Sequence, residues 1–186
     1  MKWTEERYKS WKAEIRKSNG GITSVDHYMG NAYQYINEEF RGIKVPSDDY
    51  FKNIGSELAE QLKSAGSLSE DIIVYRIVDD LTFEKIIRDM KLNTVFIDKG
   101  FMSTTLLREN ILNGEHRYVC DNRCVLKIHA KKGVVGAYIS IFDENKMNEY
   151  EMLFLNNAEL KLGSSTNIFI NDSRIILECF YENNHC

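Results

Sequence analysis

Asp71-Ile72-Ile73-Val74-Tyr75-Arg76-Ile77-Val78 is where the hydrophobic pattern of the chain changes period, and its reading decides the fold. The run is short and rich in β-branched residues, which predicts a buried strand over 71–78. Before it the spacing is helical. Trp3, Arg7, Trp11 and Ile15 recur every fourth residue, and the stretch 24–40 carries Tyr28, Tyr33, Ile36 and Phe40 ahead of Gly42. A third helix places Phe51, Ile54, Leu58 and Leu62 on one stripe and stops at Gly66. Its start is read at Pro46-Ser47-Asp48-Asp49, a serine cap followed by acids where the helix dipole favours them. After the run, a short amphipathic helix covers 83–90. Strands are expected over 100–105, 124–130, 134–140, 150–155, 159–162 and 174–181. Gly114, Gly133, Gly136, Gly163 and Asn171-Asp172 punctuate them. Helices first and strands afterwards give an α+β class, not a βαβ repeat. With 186 residues, no internal repeat and no linker, the chain reads as one domain over 1–186, its N-terminal helix (1–18) packing on the rest.

Composition narrows the function classes. Twenty-eight acids against 24 bases leave a net charge of -4, the wrong sign for a general grip on nucleic acid. A local anion pocket stays compatible with that balance. No apolar run approaches the length needed to span a bilayer. The start, MKWTEERYKSWKAEIRKS, lacks the apolar core of a secretory leader. Of the four cysteines, Cys120 and Cys124 stand four apart near His116, while Cys179 and Cys186 lie far away. Two thiols and one histidine make a weak zinc signal, so no metal is expected, and reduced thiols or one loop disulfide is the reading. His27, His116, His129 and His185 are isolated and receive no role. There is no G-x-G-x-x-G, P-loop, G-x-S-x-G or H-E-x-x-H pattern.

Three places break their local pattern. Arg76 shares its strand face with Ile72, Val74 and Val78, where an unpaired guanidinium is expensive. It calls for an anion, and its planar fork suits a phosphate or a carboxylate; an internal salt bridge is the competing reading. Gly100-Phe101-Met102-Ser103-Thr104-Thr105 closes a short strand with three hydroxyls. Glu149-Tyr150-Glu151 leads into Met152-Leu153-Phe154-Leu155. On a regular strand these two carboxylates share a face about 6.5–7 Å apart, heading an apolar row, which is unfavourable without donors or a job. A solvated strand end is the alternative.

Together and in this order the three resemble the signature of the arginine-specific mono-ADP-ribosyltransferases: an Arg on an early strand, an aromatic-x-Ser-Thr-Ser/Thr segment and a Glu-x-Glu pair. The branch they resemble is that of the clostridial binary toxin catalytic domains and related bacterial and phage-borne enzymes. Tyr28-x4-Tyr33-x2-Ile36-Asn37 is similar to a helix of that branch, and Gly136-Ala137-Tyr138-Ile139-Ser140 to the strand before its active-site loop. The likeness spans about residues 22 to 180.

The resemblance implies NAD+ as co-substrate, bound in a cleft between two roughly perpendicular antiparallel sheets with helices alongside. It implies that Arg76 holds the dinucleotide phosphates, and that Tyr28, Tyr33 and Asn37 line the cleft. Gly100, Phe101, Thr104 and Lys127 join them as NAD-binding positions. Ser103 would orient the catalytic Glu151, Glu151 would bind the nicotinamide ribose and stabilise the cationic sugar, and Glu149 would engage the acceptor guanidinium. The partners implied are a target protein with an acceptor arginine and a possible delivery or immunity partner, and the start of the chain would then suit a phage protein acting in the infected cell, an injected effector, or a toxin domain cut from a larger chain. Three departures stand out. Ile77 follows Arg76 where a second arginine is common, Lys127 replaces an arginine, and residues 142–148 hold no aromatic besides Phe142. An NAD+ glycohydrolase and a non-catalytic module of the same fold are the competing readings.

Overall fold

The computed structural model describes residues 2–43, 49–93, 95–108, 124–162, 168–171 and 174–182. The expectations for Pro46-Ser47-Asp48, Gly114, His116, Cys120, Gly163, Asp172, His185 and Cys186 lie outside them. The described residues group into two compact units. The first comprises residues 1–67, 98–102 and 135–158; the second comprises 68–97, 103–134 and 159–186. Helices come first and strands follow, the mixed α+β order read from the pattern.

In the first unit, α1 (Lys2–Ser18) buries Tyr8, Trp11 and Ile15, one stripe at i, i+3 and i+7. The buried partner of Trp11 and Ile15 is thus Tyr8; Arg7 instead reaches the Ser67 carbonyl. The Trp11 indole donates to the Gln61 carbonyl at 3.0 Å. The helix expected over 24–40 is three pieces: α2 (Ser24–His27), a π-turn (Tyr28–Ala32) and α3 (Tyr33–Phe40). Gly30, at φ -79° and ψ -135°, breaks the helical path. Thr23 and Asp26 cap α2 reciprocally, each side chain meeting the other's backbone N–H.

Helix α4 (Tyr50–Ser64) starts at Asp49, whose backbone is left-handed at φ 56° and whose side chain makes no cap bond. Ile54, Leu58 and Leu62 are buried as the stripe required. Gly55 faces α3 so closely that a Cβ there would stand 2.3 Å from the Phe40 ring. Strands β5 (Gly136–Tyr138) and β6 (Glu151–Phe154) pair antiparallel, with Ala137 opposite Leu153. Beyond β5 the expected strand turns into a 3-10 helix, Ser140–Phe142, and a second one, Glu144–Glu149, leads back to β6.

The second unit holds β1 (Ile72–Val78), α5 (Asp80–Asn93), most of β2 (Val95–Asp98) and β3 (Met102–Thr105), β4 (Cys124–Ala130), β7 (Ala158–Leu162), β8 (Ile168–Asn171) and β9 (Arg174–Tyr181). Its strands run in the order β2-β7-β9-β4-β1-β3, and β8 pairs with β9. β4 is flanked on both sides, so its sequence is a nearly unbroken apolar run with Val125, Leu126 and Ile128 buried. The pairing is not wholly antiparallel as expected: β4 and β9 run parallel, Lys127 opposite Glu178. A parallel neighbour needs a long crossover, and residues 131–173 supply it. β2 and β8 are additions to the expected strands. Cys124 and Cys179 are buried free thiols.

Candidate active site

Of the eleven residues singled out, Tyr28, Tyr33, Asn37, Gly100, Phe101, Glu149 and Glu151 belong to the first unit. Asn37, on α3, is the knot among them. Its Nδ2 donates to the Tyr28 hydroxyl at 3.0 Å and its Oδ1 accepts the Phe101 N–H at 2.7 Å. The Phe101 ring meets Tyr28 edge-on at 5.9 Å and Phe40 at 5.3 Å. Asn37, Tyr28 and Phe101 are all buried, whereas Tyr33 is 53% exposed and presents its ring to solvent. The π-turn brings Tyr33 edge-on to Tyr28, ring centres 6.3 Å apart.

Gly100 is required by this packing. An added Cβ would lie 2.8 Å from Asn37 Oδ1 and 3.0 Å from the Arg41 guanidinium. Arg41 in turn forms an ion pair with Asp98 at 3.0 Å, and Asp98 Oδ1 accepts the Gly100 N–H at 3.1 Å. Arg41 and Asp98 were absent from the sequence reading. An Arg and an Asp 57 residues apart carry no local signal of pairing.

The two acids differ from the strand picture. Glu151 is the first residue of β6, while Glu149 ends the 3-10 turn and Tyr150 between them is left-handed at φ 48° and ψ 43°. Strand alternation therefore does not relate the two carboxylates; a turn does. Glu151 is pinned through its backbone: its N–H donates to Ser140 Oγ at 2.7 Å, and its carbonyl accepts the Ile139 N–H at 3.0 Å. Ser140 is fully buried; the sequence placed it at the end of the strand before the loop without giving it this role. The base of the loop is gripped by α1. Lys12 donates to the Ile141 carbonyl and Arg16 to that of Phe142 at 3.3 Å. The Phe142 ring packs edge-on against Trp11 at 5.3 Å. Arg16 also binds Asp26 at 2.7 Å. Burial alone would raise the Asp26 carboxyl, but bonds from Thr23 and Arg16 outweigh it and hold it below the ordinary aspartate range.

Arg76, Ser103, Thr104 and Lys127 belong to the second unit. Arg76 is half-buried on β1 opposite Leu126, between the buried Val74 and Val78, as the alternation predicted. Thr105 stands opposite Tyr75. By regular alternation Thr104, which is buried, shares the face of Arg76, and Ser103 shares that of Tyr75 and Lys127. Lys127 is not an open cation. It donates to Glu178 at 2.6 Å, and His129, stacked on Phe180, meets the same carboxylate at 2.5 Å. The hydrogen bonds from Lys127 and then His129 hold the Glu178 carboxyl below its ordinary value. Burial, reinforced by Asp80, pushes the Cys124 thiol up to about 11, which makes it a poor nucleophile. Among the described residues no His, Cys, Asp or Glu group could hold a metal, and no helix is long and apolar enough to cross a membrane.

The ADP-ribosyltransferase exoenzyme family model matches residues 1–181. No curated protein matches the chain. Among solved structures it is similar to Plx2a, an ADP-ribosyltransferase toxin from Paenibacillus larvae, with 18% identity and a TM-score of 0.74 over 98% of this chain and 94% of that one. It is similar to BECa, an ADP-ribosylating toxin of a binary enterotoxin of C. perfringens determined with NADH, at 22% identity and a TM-score of 0.77. That match covers 97% of this chain and 47% of the other, so the chain spans about half of BECa. C3larvin toxin, an ADP-ribosyltransferase from Paenibacillus larvae, matches at 20% identity and a TM-score of 0.67, covering 94% of this chain and all of that one. At such identities the structural likeness is one of fold. The match of a family model to nearly the whole length is what decides membership: the chain belongs to the ADP-ribosyltransferase exoenzyme family, toxin-like transferases that use NAD+ as co-substrate.

Proposed function

We propose that residues 1–186 act as one catalytic domain that transfers ADP-ribose from NAD+ to an arginine side chain of a target protein. The observation that carries this reading is the different placement of two neighbouring acids: Glu151 at a strand start, its backbone bonded to Ser140, and Glu149 at the end of a 3-10 turn beyond the left-handed Tyr150. Hydrolysis alone calls for one fixed carboxylate; transfer to a guanidinium calls for two with separate tasks.

In this reading Arg76 binds the pyrophosphate, a task suited to its forked donors. Ser103 is the hydrogen-bonding residue that orients the catalytic carboxylate. Tyr28, Tyr33, Asn37, Gly100, Phe101 and Thr104 form the NAD-binding positions. Lys127 lies on the sheet face opposite Arg76 and is paired with Glu178, so in this reading it adds only positive potential and makes no direct phosphate contact. The bond between the ribose anomeric carbon and nicotinamide breaks with its electron pair leaving on the nicotinamide nitrogen, so nicotinamide departs neutral. The sugar left behind is oxocarbenium-like, and the fixed anion of Glu151 lowers the barrier to forming it. A guanidinium nitrogen then bonds to the same carbon and gives up a proton. Arginine is protonated in water and is a weak nucleophile until a base takes that proton, which is the task of Glu149.

The test is incubation with labelled NAD+ in the presence and absence of a cell lysate, followed by mapping of modified side chains. Wild type labels arginine. Glu149→Gln loses about 10²-fold or more of that labelling while NAD+ hydrolysis persists. Glu151→Gln loses about 10³-fold of both. Release of ADP-ribose with no labelled protein would make the chain a glycohydrolase, and neither activity would make it a binding module.

A further inference from the structure

The acid-bearing loop is tethered at its middle as well as its base. Its base, Ser140–Phe142, is buried and held by Trp11, Lys12 and Arg16 of α1. Its far end enters β6, where ladder and side-chain bonds hold Glu151. Between them lies the six-residue 3-10 turn Glu144–Glu149, with poorer hydrogen-bond geometry than an α-helix. Asp143 caps its start, accepting the Asn145 N–H at 2.9 Å. From this turn Lys146 reaches out of the loop and donates to the Met29 carbonyl. Met29 lies in the π-turn beside Tyr28, one residue before the helical break at Gly30.

We propose that Lys146 is a positioning residue: by tying the Glu149-bearing turn to the π-turn, it sets where the acceptor-facing carboxylate stands, while Glu151 is held independently of it. This rests on the reading that Glu149 serves the acceptor. Lys146 is three residues from Glu149, one full 3-10 turn away and so on the same side of it, and freeing its ammonium loosens the turn without touching the β6 ladder. Its long stem and compact charge suit a point tether to a single carbonyl. The loop thus has two kinds of support. One, from Ser140 and β5, governs bond cleavage in NAD+. The other, from Lys146, governs transfer.

Lys146→Met keeps the stem and removes the donor, and Lys146→Arg restores a donor at similar reach. Both are made in the full chain and assayed for NAD+ hydrolysis and for transfer to agmatine, a small guanidinium acceptor. Misplacement by about 1 Å costs up to about 10²-fold, so Lys146→Met is expected to lower transfer about tenfold, with hydrolysis and the KM for NAD+ changed by about twofold at most. Lys146→Arg recovers most of the transfer rate. Amide exchange over 144–149, measured without NAD+, quickens in Lys146→Met alone. The proposal is overturned if the ratio of transfer to hydrolysis is unchanged, if both fall together, or if exchange is unaltered. A wild type that hydrolyses NAD+ without modifying agmatine overturns the functional reading itself, before any substitution is compared.

Discussion

Around Asn37 in the first unit the positions proposed to bind NAD+ are held by side chains, whereas in the second unit they are held by strand register. In the first, one amide, Asn37, joins Tyr28 to the backbone of Phe101, and Gly100 exists so that Asn37 and Arg41 can occupy its space. In the second, Arg76 and Lys127 are placed by the backbone pairing of β1, β4 and β9. Substitutions around Asn37 should therefore cost fold and function together, and those at Arg76 should separate them.

The largest separation is expected at Arg76. Arg76→Ala should weaken NAD+ binding about 10- to 100-fold, the range for charge-assisted bonds to phosphate, and leave the unfolding midpoint within a few degrees; calorimetric titration reads the first and thermal melting the second. Arg76→Lys should recover part only, having lost the fork. Unaltered NAD+ affinity in Arg76→Ala would remove the phosphate role.

Asn37→Ala should do both kinds of damage, costing about 1–3 kcal/mol of stability because it strips a buried N–H of its acceptor, and raising the KM for NAD+. Denaturant unfolding compared with NAD+ kinetics measures the pair. A loss of affinity with stability intact would show that the knot is less structural than its bonds imply.

Gly100→Ala should cost about 1–2 kcal/mol by overpacking. Removing Arg41 in the same chain should relieve part of the clash, so a double-mutant cycle on denaturant midpoints should be non-additive. Strict additivity would mean the added methyl is accommodated elsewhere.

The smallest effect belongs to Glu178. Its carboxyl is held below the ordinary value of 4.5 by Lys127 and His129. A lowered folded-state value gives stability that is complete above the unfolded value and lost as pH falls through the folded one. The melting-temperature gap between wild type and Glu178→Gln should be widest near neutral pH and close as pH falls below the ordinary glutamate range, at no more than about 1 kcal/mol for a partly exposed pair. A gap independent of pH would place the contribution in packing.

Legibility from sequence followed the range of the interactions. β1, β4 and β9 were readable because their side chains are branched, apolar and long enough in run to show a period; β4 and β9 end where their patterns end. β2 and β8 are four residues each, too short to show a period. The π-turn was not read from the sequence, although Tyr28 and Tyr33 stand five apart, one more than α spacing, with Gly30 between them. The residue types of the signature were visible, but the supports were not. Ser140 to Glu151, Arg41 to Asp98 and Lys127 to Glu178 are bonds between residues 11, 57 and 51 apart, set by tertiary pairing. The left-handed Tyr150 was hidden as well, since an aromatic residue is an improbable occupant of that region.

Gly55 has a reach that its position on α4 conceals. Its missing side chain is what lets the Phe40 ring settle, and that ring is the neighbour of Phe101. Alanine is the better helix former by about 1 kcal/mol, yet here its methyl would collide with the Phe40 ring. Change at this helical surface is thereby coupled, through one aromatic contact, to Phe101.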